Sequence, residues 1–188
     1  MALSQRETIR VLQELGWMPL KVAGGAECRM VQADRVLTIL PKLTTGSRQT
    51  LRLNPGVGTY EFDRAYATIS GRQGGDTQPI VHAFGEVGAV HAELLTPEDI
   101  RGLSGRVIAW GQNQNLDAFV HELCSAATDS PGNLPVKHLA ALSLAGDLDR
   151  LEHYLAAFER GDRLGFVPYI DTGYLERAIT YATSKAKE

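Results

Sequence analysis

The sequence predicts an α+β fold: an N-terminal helix with an antiparallel sheet, followed by a mostly helical C-terminal half packed on it. Three observations predict this. A capped amphipathic helix opens the chain, short runs of two-residue periodicity separated by turn formers fill most of the chain up to residue 95, and helical periodicity takes over from Thr96. The expected organisation is an α+β subdomain over 1–95 and a helical subdomain over 96–188, together one compact domain. At 188 residues the chain is long enough to bury a sizeable core.

Ser4 and Glu7 have the spacing of a capping box. Ile9, Leu12 and Leu15, with Val11 beside them, form an apolar stripe that stops at Gly16, so a helix is expected over 4–15. Three short runs follow, 17–22, 27–32 and 35–40, parted by Gly24-Gly25 and Ala33-Asp34; they read as an antiparallel meander closed by a strand at 49–53. Thr59 to Ser70 fits both periods, because Tyr60, Phe62 and Tyr66 alternate while Phe62, Ala65, Tyr66 and Ile69 share a helical face. A helix ending at Gly71 is the favoured reading, with 71–76 as a flexible loop. Residues 79–84 and 89–95 read as a hairpin turning at Gly85-Glu86-Val87-Gly88.

At Thr96-Pro97-Glu98-Asp99 an N-cap, a proline at the first helical position and two acids in the first turn mark a helix running to about Gln112. Asn115 caps another over 116–127, and the turn formers of 129–135 make a linker. Two helices broken at Gly146, over 136–145 and 147–160, read as one α-hairpin. After an apolar passage at 163–170, a last helix runs from Asp171 or Thr172 to about Ser184, with a frayed tail at 185–188.

Composition bounds the function. A hydrophobic share of 44%, a charged share of 22% and a net charge of −3 describe an ordinary globular chain. No segment gathers basic residues into a stripe that would neutralise a row of phosphates, so nucleic acid is not an expected partner. The N-terminus lacks the pattern of a signal peptide and no run of about 20 apolar residues occurs, so a cytoplasmic location without a membrane is expected. Cys28 and Cys124 match neither a redox pair nor a zinc pattern and are expected as free thiols.

The catalytic motifs each fail at a residue. His121-Glu122 opens like a metalloprotease helix, but Ser125 stands where the second histidine is needed. Gly102-Leu103-Ser104-Gly105-Arg106 lacks the glycine spacing of a nucleophile elbow. Asn54-Pro55-Gly56-Val57-Gly58-Thr59 sits between a strand and a helix, where backbone amides cradle phosphate, but without the lysine of a P-loop. His82 and His91 would face each other across the expected hairpin with Glu93 alongside, a set short of the four ligands of structural zinc. These residues, with Gly56 and Gly58, form the ligand-binding alternative; no metal or cofactor is expected.

An interaction surface is the other reading. The apolar, proline-containing segment around Phe166 and Tyr169 packs into the core or forms a hydrophobic patch of the kind that marks interfaces. Asp147, Asp149 and Glu152 give the C-terminal hairpin a negative bias suited to a basic partner cleft.

The helix ending at Leu15-Gly16, followed by 28–31, 36–40 and 50–53 as successive strands, resembles the start of bacterial type III secretion chaperones over about a quarter of the chain. That resemblance implies a small α+β homodimer that binds a secreted effector without catalysis. In size, acidity and want of a catalytic motif the chain is also similar to bacterial toxin-immunity proteins. Both imply one protein partner, a toxin or a secreted effector. The sequence therefore leads to a non-enzymatic bacterial interaction module, with a small enzyme or ligand-binding protein as the alternative.

Overall fold

The computed structural model describes residues 3–22, 25–72 and 77–185. Parts of the expected Gly24-Gly25 turn, of the 71–76 loop and of the 185–188 tail lie outside the described residues. In chain order the elements are α1 (Gln5–Glu14), β1 (Met18–Val22), β2 (Gly25–Gln32), β3 (Arg35–Ile39), β4 (Lys42–Thr44), β5 (Gln49–Arg52), β6 (Gly56–Thr59), α2 (Tyr60–Ser70), β7 (Val81–His82), β8 (Ala89–Ala92), α3 (Pro97–Gln112), α4 (Leu116–Cys124), α5 (Leu134–Ala145), α6 (Leu148–Glu159) and α7 (Thr172–Lys185). The architecture is α+β, with an N-terminal helix, antiparallel sheets and a mostly helical C-terminal half.

The chain forms two compact units, Met1–Thr59 with Val81–Gln114 and Tyr60–Ile80 with Asn115–Glu188. The grouping crosses the sequence halves, because α3 belongs with the strands and α2 with the later helices.

In the first unit α1 starts where the sequence places it. The Ser4 hydroxyl accepts from the Glu7 amide at 3.2 Å and the Glu7 carboxylate accepts from the Ser4 amide at 2.8 Å. Donation to the carboxylate from the Ser4 hydroxyl at 2.7 Å, and then from the Ser4 amide, lowers the Glu7 pKa from its usual value. A five-stranded antiparallel sheet runs β1-β2-β3-β6-β7, with Cys28 opposite Ile39 and Met30 opposite Leu37. Partners directly opposite share a face, so this register lines up Cys28, Met30, Leu37 and Ile39. All four are buried.

Helix α3 packs on β3. A Cβ at Gly111 would lie 2.7 Å from Leu37 Cδ2, so glycine sets how closely the helix approaches the strand. Arg35 fixes the end of the same helix, its Nη1 donating to the carbonyls of Gly111 at 2.7 Å and Gln114 at 2.8 Å. A cation there also complements the negative end of the helix dipole. Trp17, 1% exposed, donates from Nε1 to Ser104 Oγ on α3 at 2.8 Å.

The strands differ from the single expected meander in two ways. β6, read from the sequence as a glycine turn, takes the place beside β3 expected of β5, which joins a separate sheet of order β4-β5-β8. The expected hairpin of 79–84 with 89–95 does not form: β7 pairs with β6 and β8 with β5. The reason lies in the connecting turn and in partners distant in the chain. Gly85–Gly88 takes a 3-10 turn instead of a tight reversal, and Gly88 lies against Pro55 so closely that a Cβ would sit 2.5 Å from Pro55 Cδ.

The second unit is built around α5. Every residue from Pro135 to Ser143 is buried, and α2, α4, α6 and α7 all pack against this helix. A helix hidden on all sides carries apolar residues all round, and LPVKHLAALSLA does so except at three positions. Each exception is bonded. Lys137 Nζ donates to the Pro79 carbonyl at 2.5 Å, His138 Nδ1 lies 2.8 Å from the Leu123 carbonyl oxygen, and Ser143 Oγ donates to the carbonyls of Leu139 and Ala178. The helical reading of 59–70 holds from Tyr60 onward, with Phe62, Ala65, Tyr66 and Ile69 as the buried stripe of α2. Gly146, at φ +70, ends α5 and starts the reversal into α6. Among the described residues no helix is long and apolar enough to cross a membrane.

Candidate functional site

The residues of the ligand-binding alternative are not brought together. Gly56 and Gly58 are buried in β6, opposite Thr38 and Val36 of β3, with Gly56 also opposite His82 of β7. As members of a paired strand they do not form a phosphate-cradling loop. His82 and His91 lie on strands of different sheets. His91 Nδ1 is 2.9 Å from Thr50 Oγ1 on the neighbouring strand and its Nε2 is 3.8 Å from Glu86, while Glu93 is exposed beyond the end of β8. Among the described residues no group of three His, Cys, Asp or Glu side chains is placed to hold a metal ion.

The remaining motif residues take structural roles. Ser104 lies inside α3 and accepts the Trp17 bond, while His121 and Glu122 are exposed on α4. Burial pushes the Cys28 thiol up to about 11, and Cys124 is raised for the same reason. Neither is a ready thiolate.

Of the expected interface residues, Phe166 is a core residue, 4% exposed, packed edge-on against Tyr154 at 5.2 Å and Phe158 at 5.6 Å. The passage around it reads as loop, yet its aromatic ring fills the space between α6 and His138. Tyr169 remains 46% exposed and its hydroxyl donates to the Gly132 carbonyl at 2.5 Å. Asp147 caps α6, accepting from the Arg150 amide at 3.3 Å and pairing with its guanidinium at 3.1 Å. Asp149 and Glu152 stand exposed on α6.

His138 is a deeply buried titratable side chain at the centre of the second unit. It is 1% exposed, with Nε2 3.2 Å from the Tyr154 hydroxyl and Nδ1 on Leu123. Burial lowers its pKa from the usual 6.5. With both ring nitrogens engaged, the imidazole ties α4 and α6 to α5.

The surface with most to offer a partner lies elsewhere, at Phe84. This side chain is 89% exposed, far more than any other large apolar residue described. It stands at the rim of a concave notch of about 220 Å³ lined by Arg52, Asn54, Pro55, Ala83, Gly85 and Gly88. The frame beneath it is tied together: the Ala83 amide donates to the Pro55 carbonyl at 2.9 Å and the Leu53 amide to the Gly88 carbonyl at 2.8 Å. Asn54 takes φ +44, a conformation that asparagine tolerates better than most residues. On the adjoining sheet Arg52 is directly opposite Lys42, and both are exposed.

Sequence reasoning missed this site, although a signal was present. The two-residue alternation that turns Val81 and Ala83 inward turns His82 and Phe84 outward, which sets a bulky aromatic on the solvent phase beside a glycine.

The chain matches the model of a family of unknown function, DUF6990, over residues 4–183. It belongs to that family. The DUF6990 match includes the notch, Phe84 and the whole of α5. No curated protein and no solved structure matches the chain.

Proposed function

We propose that this protein is a non-enzymatic bacterial protein–protein interaction module, of the kind represented by toxin-immunity proteins and secretion chaperones. The observation that carries the reading is Phe84, 89% exposed on a frame held by backbone hydrogen bonds. An aromatic left in water forgoes about 1.5–3 kcal/mol of burial, which a partner surface recovers. Aromatic and arginine side chains side by side are the usual anchors of an interface, and Arg52 lines the same notch. The partner in this reading is a single protein, a toxin or a secreted effector, met in the cytoplasm. The engaged or buried state of Ser104, Cys28 and His138 also favours binding over catalysis.

The test is a pull-down from host lysate with the tagged full chain and its Phe84→Ala variant, with far-UV circular dichroism confirming that both are folded. The expected result is one partner at near-equal amount, depleted by the variant. No partner under several growth conditions, or one retained equally by both baits, overturns the assignment to this surface.

A small-ligand reading keeps one specific observation, the notch itself, whose lining includes a guanidinium and an asparagine. Thermal-shift screening of small anions tests it, and an Arg52-dependent rise in melting temperature is the supporting result.

A further inference from the structure

We infer that the exposed face of the β4-β5-β8 sheet docks an acidic, extended segment of a partner protein, its carboxylates on Lys42 and Arg52 and one apolar side chain against Phe84. The inference rests on the interaction reading above and names the chemistry of the partner.

Charge is the first argument. Lys42 of β4 and Arg52 of β5 are directly opposite in the antiparallel register, so their side chains leave the same face about 4.5–5.5 Å apart at Cβ. Like charges so placed repel and cost stability unless something offsets them. No carboxylate forms an ion pair with either among the described residues, and the Glu86 carboxylate lies 3.8 Å from His91 on this face. The same face carries Thr44, Thr50 and His91, which are donors or acceptors but no anions at neutral pH. An arriving carboxylate would relieve the repulsion and gain a charge-assisted bond to the guanidinium, which accommodates it in a bidentate fork.

The second argument joins charge to an apolar anchor. Arg52 and Phe84 line one notch, so a chain that sets a carboxylate on Arg52 has its neighbouring side chain within reach of the Phe84 ring. Two cations on a short sheet are too few for the salt-dependent phosphate contacts of nucleic acid, whereas one aromatic beside them suits a peptide with an apolar residue between acids. The unit that carries this face has ten basic and eight acidic residues in a chain whose net charge is −3, so the positive surface is a local feature of this unit.

The test is fluorescence anisotropy with the full chain and a fluorescein-labelled peptide, Gly-Glu-Asp-Leu-Glu-Asp-Gly, at low salt. Its counterpart with lysines for the acids, a glutamate-only peptide and a single-stranded oligonucleotide serve as comparisons. The expected result is saturable binding of the acidic leucine peptide and none of the lysine peptide. That binding should weaken by at least about tenfold in Lys42→Glu/Arg52→Glu and in Phe84→Ala. All three positions are exposed, and an unchanged urea midpoint confirms that the variants are folded. Equal binding by wild type and variants, equal binding of the glutamate-only peptide, or tighter binding of the oligonucleotide overturns the inference. If the lysate yields a Phe84-dependent partner but the acidic peptide does not bind, the acidic segment is refuted and the interaction reading stands. If neither binds, both fall.

Discussion

In the sheet-bearing unit two glycines permit close approaches, Gly111 of α3 against Leu37 of β3 and Gly88 against Pro55, whereas the helical unit hides an entire helix, α5, with a lysine and a histidine on it. In the first unit Arg35 and the capping box of α1 bond backbone atoms at helix ends, and Ser104 bonds Trp17 within the core. The second places Lys137, His138 and Ser143 on its buried central helix and bonds each of them to a carbonyl or hydroxyl partner. Their formal charges differ as well, about +2 for the first unit and −5 for the second. The contrast is one of placement: close approach at glycine seats α3 on its sheet, and bonded polar side chains hold α5 among its neighbours.

The largest effect expected from breaking this contrast is at Leu139, which is fully buried at the middle of α5. Leu139→Ala should cost about 2–5 kcal/mol, read as a lower urea midpoint with the slope unchanged. Gly111→Val should cost about 1–3 kcal/mol by overpacking. Pairing it with Leu37→Ala should recover part of that loss, since the two residues share one volume; strict additivity in the double-mutant cycle would show that approach distance is not what glycine provides.

The smallest effect is a pH slope from His138. Its folded pKa lies below the ordinary 6.5, chiefly through burial, with the nearby Arg150 adding to the lowering and the Leu123 carbonyl and Asp147 opposing it. The unfolded chain therefore takes up the proton first as pH falls. Stability from this group is complete above about pH 6.5 and is lost as pH drops from there toward the folded value. The urea midpoint should fall between about pH 7.5 and pH 5.5, and His138→Phe should flatten that interval. A slope unchanged in the variant would assign it to other groups.

Much of the fold was legible because its signals were local. The Ser4–Glu7 and Thr96–Asp99 boxes satisfy their own amides within one turn, so both helix starts appear where the sequence marks them. The α2 stripe is only half legible, since the run fits both periods until the burial of Phe62, Ala65, Tyr66 and Ile69 on one face decides for the helix. What was missed depended on partners distant in the chain. Gly56-Val57-Gly58 looks like a turn until β3 and β7 are found on either side of it, and 79–95 looks like a hairpin until β5 claims β8.

The candidate site was less legible than the fold. Phe166 and Phe84 are both aromatics next to glycine, and only the alternation of 81–84 hints at their different fates. Burial among Tyr154, Phe158 and His138 makes one a core residue, and the 3-10 turn against Pro55 leaves the other in solvent. Lys42 and Arg52 are ten positions apart and become neighbours only through strand register.

The fully buried Cys28 bears on the chain's response to oxidants. Its thiol is sealed between strands and stays protonated at any pH the fold would ordinarily meet, so peroxide and disulfide reagents have no thiolate there to attack. Such reagents would meet Cys124 first, a half-buried thiol whose own carbonyl accepts from Arg150. Thiol oxidation in this protein would then begin at the end of α4 and not in the sheet core.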